Sequence, residues 1–222
     1  YAMSLDRMIE KIAALQNPTV AGLDPKLDYI PSCIKEKAYA ACGKTLEGAA
    51  AAILEYNKGL IDALSPIVPA VKPQAAYYEM YGWQGVRTLC ETIRYAREKG
   101  MFVITDGKRN DIGATMEAYA AAHLGVTAVE EETAEAFGAD ALTVNGYLGS
   151  DGIRPLLKVC QQGDKGIFVL VKTSNPSSGE LQDEALAGGA AVYRTMGGFC
   201  EKWGAELPGK YGYSGVGAGV GA

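Results

Sequence analysis

The sequence predicts an α/β protein whose parallel sheet, wrapped by helices, closes as a (β/α) barrel. Three observations carry this expectation. Short apolar runs alternate with longer stretches of helical period from end to end, with no Ser/Gly/Pro-rich linker between them. The runs are apolar throughout, as strands covered on both faces must be. Polar residues follow several of them (Asp24, Lys72, Asp106, Lys108, Asn145 and Ser174), and no early run ends in a G-x-G-x-x-G turn. An open doubly wound sheet gathers its polar groups at one crevice, whereas a barrel brings many strand ends around one mouth. The 222 residues, 48% of them hydrophobic, suffice for one such domain, expected over residues 3–222.

The elements follow in order. Leu5, Met8, Ile9, Ile12 and Leu15 recur at helical spacing behind Ser4, a candidate cap, and Thr19 to Leu23 reads as a first strand ending at Asp24. A helix beginning near Thr45 carries Leu46, Ala50, Ile53, Leu54, Asn57, Leu60, Ile61 and Leu64 along one side. Ile67 to Val71 is the second strand and delivers Lys72. Val86, Leu89, Cys90, Ile93 and Ala96 mark a helix that stops at Gly100, where a left-handed residue can cap it, and Met101 to Thr105 is a buried strand ending in Asp106. One helix is expected from near Thr115 to Phe137 before a strand at Ala141 to Val144, and another from Ile153 to Cys160 before a strand at Ile167 to Val171. A long helix from near Gln182 to Trp203 precedes Tyr213 to Val220, a sixth strand despite its glycines. Met3, behind Tyr1 and Ala2, is expected to be the start residue.

Charge and composition narrow the function. With 21 Lys and Arg against 26 Asp and Glu, the net charge of −5 offers no footprint for a nucleic-acid backbone or an anionic membrane, so a small molecule is the expected partner. Neither an apolar run of membrane-spanning length nor a basic stretch followed by an apolar block is present, and a cytoplasmic location is expected. The five cysteines are odd in number and never spaced C-x-x-C, which suggests neither a zinc site nor a disulfide frame. His123, the single histidine, cannot form a two-His metal site and is expected to be a structural helix residue.

The segment Asp106-Gly107-Lys108-Arg109-Asn110-Asp111 is the most informative for chemistry. Asp106 and Lys108 are two apart, so on a persisting strand they point the same way, and adjacent carboxylates would hold a buried lysine as an ammonium. With Lys72 from another strand, the result is a nearly neutral alternation of two cations and two anions. A D-x-K-x-x-D pattern alone is equally consistent with a solvated charge cluster in a loop.

Four stretches together are more specific. Gly22-Leu23-Asp24-Pro25, Val71-Lys72-Pro73, Asp106 to Thr115 and Lys172-Thr173-Ser174-Asn175-Pro176 occur in order at successive strand ends and resemble the orotidine 5′-phosphate decarboxylases, in particular the bacterial subfamily with D-G-K-R-N-D. The resemblance implies a (β/α)8 TIM-type barrel that converts orotidine 5′-phosphate to uridine 5′-phosphate and carbon dioxide in pyrimidine biosynthesis, without metal or organic cofactor. It implies that Lys108 protonates carbon six of the pyrimidine, that Asp106 sits beside the substrate carboxylate, and that Lys72 completes the charge network and contacts the ribose. Asp24 corresponds to a carboxylate that accepts ribose hydroxyl bonds, and Ser174 to a serine that recognises the pyrimidine. Asp111, Ile112 and Thr115 match positions that reach into a neighbouring subunit's site, which implies a homodimer. Asn145, before Gly146 and Tyr147, reads as an ordinary turn residue, and Tyr77, Tyr78 and Tyr81 as packing.

The sequence also departs from that pattern. Six strands are counted where a closed barrel needs eight, and in the family the last two carry a Pro-Gly-x-Gly-Ala-Gln loop and a later arginine that grip the substrate phosphate. The expectation is that these residues belong to a longer polypeptide, because two missing strands would leave open sheet edges. Two other functions fit part of this pattern: a magnesium-dependent sugar-phosphate decarboxylase or aldolase of the same barrel superfamily, and a noncatalytic nucleotide-binding protein.

Overall fold

A computed structural model describes residues 4–221. The expectation about Met3 and the capping role of the Ser4 side chain lie outside what is described. The chain runs through α1 (Ser4–Leu15), β1 (Val20–Leu23), a 3-10 turn at Leu27–Tyr29, α2 (Ser32–Cys42), α3 (Leu46–Leu64), β2 (Ala70–Pro73), α4 (Ala76–Glu79), α5 (Gly82–Glu98) and β3 (Phe102–Arg109). It continues through α6 (Gly113–His123), β4 (Thr127–Val129), β5 (Glu132–Ala134), β6 (Ala141–Val144), α7 (Ser150–Gly163), β7 (Gly166–Lys172), α8 (Gly179–Gln182), α9 (Val192–Gly204) and β8 (Val216–Val220).

Six strands form one parallel sheet in the order β1-β2-β3-β6-β7-β8. Alternation along the strands separates two layers. Val71, Val103, Leu142, Val144, Ile167 and Val169 face outward against the helices. Ala70, Phe102, Ile104 and Ala141 face inward with Phe168, where Leu5 and Met8 of α1 plug the interior. The same inward rows continue to Lys72 and Gln74 after Ala70, to Asp106 after Ile104, and to Thr143 after Ala141. The sheet therefore places its polar layer above an apolar plug, at the ends where its strands finish. Among the described residues, β1 and β8 are the two edges, and no helix is long and apolar enough to cross a membrane.

Several expected elements differ in extent. The second strand begins at Ala70 because Pro69 has no N–H to give and Ile67 faces solvent. The helix expected from Thr115 to Phe137 ends at His123; beyond Gly125 the β-branched Val126, Thr127 and Val129 enter an antiparallel hairpin that turns at Glu130, which has φ 55°. The helix expected from Gln182 to Trp203 is split, since Asp183 to Ala191 loops through Gly188 and Gly189 with a bridge between Ala185 and Ala191. An unexpected helix, α2, packs on α3 without burying any residue fully. Thr45 caps α3 by accepting the Gly48 N–H at 3.1 Å, and Gly100, the expected left-handed cap, adopts φ 75° after α5.

Candidate active site

Asp106 is the centre of the polar layer. Its Oδ2 accepts from Lys72 Nζ at 2.6 Å and from Gln74 Nε2 at 3.0 Å, and its Oδ1 accepts from Lys108 Nζ at 2.7 Å and from the Thr143 hydroxyl at 2.8 Å. Burial alone raises the Asp106 pKa, but the hydrogen bonds from Lys108, Lys72 and Thr143 outweigh it and hold the carboxyl below its ordinary value. Each carboxylate oxygen thus carries one ammonium. The Asp106 side chain is 7% exposed and that of Lys108 is 46% exposed, so the anion is fixed in the protein while the amine reaches open space at the mouth.

An irregularity in β3 creates this arrangement. Thr105 pairs with Leu142 and Arg109 with Val144, so three residues, Asp106, Gly107 and Lys108, stand opposite Thr143 alone. Lys108 has φ 48°, a left-handed conformation that costs a non-glycine residue roughly 1–2 kcal/mol. The Thr143 hydroxyl compensates by accepting the Lys108 N–H at 3.0 Å while it donates to Asp106. Sequence reasoning missed both Thr143 and Gln74. Each left a signal: a hydroxyl inside an otherwise apolar run, and an amide two residues beyond Lys72 on the same strand face.

The remaining candidates lie around this centre. Asp24 follows β1, whose Gly22 is level with Lys72, and it is exposed at the rim. Ser174 follows β7 and is exposed; its Cα and Cβ crowd Gly221, and the loop it starts is pinned by Gln182, which bonds Thr173 through both amide atoms. Asp111, Ile112 and Thr115 lead away from Lys108 at the start of α6. Ile112 and Thr115 are exposed, and Asp111 accepts the Ile112 N–H at 2.8 Å. Asn145 closes a turn by accepting the Tyr147 N–H at 2.8 Å, as expected of a turn residue. Tyr78 is fully buried and receives a hydrogen bond from Asn57, Tyr81 is buried and Tyr77 packs against the same cluster, in keeping with their packing role. His123 lies in α6, buried and stacked on Phe137 with ring centroids 4.5 Å apart.

Two cavities lie elsewhere. One of about 940 Å³ runs between α1 and β8, and one of about 390 Å³ is lined by Arg7, Arg94 and Arg97; neither includes Lys72, Asp106 or Lys108. The charge centre instead opens directly at the strand ends. Among the described residues, no group of three or more His, Cys, Asp or Glu side chains is placed to hold a metal ion.

The profile of the orotidine 5′-phosphate decarboxylase / HUMPS family matches residues 45–198. The chain belongs to this family. Among curated family relatives, the orotidine 5′-phosphate decarboxylase of Caldicellulosiruptor saccharolyticus is 39% identical over 98% of this chain and 71% of its own length. That of Rhodopirellula baltica is 43% identical over 92% of this chain and 65% of its own length. The solved structure of Leishmania donovani OMP decarboxylase superposes with a TM-score of 0.72 at 29% identity, covering 98% of this chain and 70% of that one. The family fold is the (β/α) barrel expected from the sequence, and six of its strands lie in the residues described.

Proposed function

We propose that this chain is an orotidine 5′-phosphate decarboxylase of pyrimidine biosynthesis, a cytoplasmic homodimer in which Lys108 is the proton donor. The observation that carries the reading is Asp106 held between two ammonium groups, one on each oxygen, at the end of the strand row. In the reaction the bond between carbon six and the carboxylate breaks, carbon dioxide leaves, and the electron pair stays in the ring plane, where resonance cannot drain it. A fixed ammonium at that carbon stabilises the charge as it develops and then supplies the proton. Solvent reprotonates the amine. Asp106 keeps Lys108 aimed and charged and stands beside the departing carboxylate, while Lys72 balances the second oxygen and reaches the ribose.

In the same reading Asp24 accepts from the ribose hydroxyls, Ser174 recognises the pyrimidine, and Asp111, Ile112 and Thr115 serve the site of a second copy. The exposure of Ile112 and Thr115 supports this last assignment. We read residues 3–222 as one barrel domain, six strands of which lie among the described residues.

Loss of orotidine 5′-phosphate absorbance, followed for the wild type and Lys108→Ala, tests the chemistry. At least about a thousandfold loss is expected, roughly 4 kcal/mol of barrier, and near-normal turnover removes Lys108 from the donor role. Turnover should also survive a chelator, which a magnesium-dependent aldolase would not. A mixture of Lys108→Ala and Asp111→Ala subunits should recover about a quarter of the wild-type rate, since half the dimers are hybrids with one intact site of two. A mixture that exchanges subunits and stays inactive refutes the shared site.

A further inference from the structure

Arg109 occupies an unusual position, one residue beyond the left-handed Lys108 and at the point where β3 and β6 resume their register. Its guanidinium turns back on its own strand, donating from Nη1 to the Gly107 carbonyl at 3.0 Å. From Nη2 it donates to Oε1 of Glu79, the last residue of α4. Its plane lies over the Tyr119 ring of α6, 5.6 Å from the centroid. One side chain therefore joins the irregular strand segment to a helix on either side of it. Glu79 is well placed for this purpose, because α4 starts just beyond Gln74, which bonds Asp106, and Ala75, whose N–H donates to the Asp106 carbonyl at 3.2 Å.

We propose that Arg109, braced by Glu79, is a positioning residue that holds the Gly107-Lys108 backbone in its left-handed form and so fixes the direction of the Lys108 amine. This rests on the reading of Lys108 as proton donor. The physical argument is that a strained backbone persists only where its surroundings over-determine it. Here Thr143 fixes the N–H of Lys108 from the β6 side, and Arg109 fixes the preceding carbonyl from the other. A planar fork with several donors can serve the carbonyl and the carboxylate together, which a lysine ammonium on a flexible stem at the same place cannot do as rigidly.

The test compares Arg109→Met, Arg109→Lys, Glu79→Gln and Lys108→Ala for turnover of orotidine 5′-phosphate, affinity for uridine 5′-phosphate, and thermal midpoint. Arg109→Met is expected to lower kcat by about 100-fold while product affinity changes less than about threefold, because the loss is in aim rather than in binding. Arg109→Lys should recover only part of that loss, and Glu79→Gln, at an exposed position where folding is not at stake, should lower kcat by about tenfold. A purely structural role would lower the thermal midpoint and leave kcat of the folded fraction intact, which overturns the proposal. So does wild-type turnover in Glu79→Gln. If Lys108→Ala is inactive and Arg109→Met turns over normally, the brace alone is refuted; if Lys108→Ala is itself near normal, the donor assignment fails and the brace with it.

Discussion

Thr143→Val exchanges a hydroxyl for a methyl of nearly the same volume, so what it removes is a pair of hydrogen bonds rather than packing. One bond goes to the Asp106 carboxylate at 2.8 Å and the other comes from the Lys108 N–H at 3.0 Å, at a residue only 8% exposed, where water cannot freely substitute. A bond to a charged group contributes about 1.5–3 kcal/mol and an unpartnered buried donor costs about 1–3 kcal/mol; with partial relaxation the expected loss of stability at pH 7 is about 2–4 kcal/mol. The loss has a pH signature. The Asp106 pKa is depressed in the folded state, so its stabilising contribution is present above the ordinary carboxylate value of about 4 and disappears as pH falls through the lowered folded value. Removing one of the bonds that lowers it brings that pKa back up, so the gap between variant and wild type should narrow, without closing, below about pH 4. Urea unfolding at pH 7 and through the acid range measures it. A deficit under about 0.5 kcal/mol at pH 7, or one as large in acid as at neutrality, refutes the view that Thr143 holds the site together.

Two further substitutions probe the surroundings. His123 is pushed down from 6.5 to about 4 by burial and then by the neighbouring Arg109, so the unfolded chain takes up a proton in this interval and the folded one does not. Wild-type stability should therefore fall by about 3 kcal/mol as pH drops from 6.5 to 4, and His123→Phe, which keeps the stack on Phe137, should remove that decline; an unchanged pH slope in denaturant titrations contradicts this. In Gly85→Ala the new methyl would sit 1.9 Å from the Tyr78 carbonyl oxygen and 2.9 Å from the Tyr81 Cβ, backbone and core that cannot swing aside. A loss of about 3 kcal/mol is expected, and a variant with wild-type thermal midpoint shows that α4 and α5 can part freely.

The strands were legible because each is a dense apolar run, and the residues that end them stood out for the same reason. Lys72, Asp106 and Lys108 were expected together and do meet at 2.6 and 2.7 Å. What could not be read was how they meet. Simple alternation already puts Asp106 and Lys108 on one face, so nothing in the spacing betrayed the two extra residues or the positive φ of Lys108. The hairpin after α6 was hidden by Glu and Ala, which favour a helix, although Gly125 and the β-branched residues after it marked the break. The loop before α9 likewise announced itself only through Gly188 and Gly189. α2 escaped because a helix that fully buries no residue leaves no apolar stripe to recognise. Gln74 and Thr143 act on a group from a different strand, and such a relation exists only after folding.

The surplus of two residues in β3 makes the count between Thr105 and Arg109 as demanding as their chemistry. Exchanging a letter there alters one contact. Deleting one turns every later side chain of the strand to the opposite surface, taking Arg109 from Glu79 and the amine of Lys108 from its counter-ion in a single event. Descent in this segment should consequently proceed by replacement, with gaps confined to flanking stretches such as the hairpin after α6, where the chain can lengthen without disturbing the sheet.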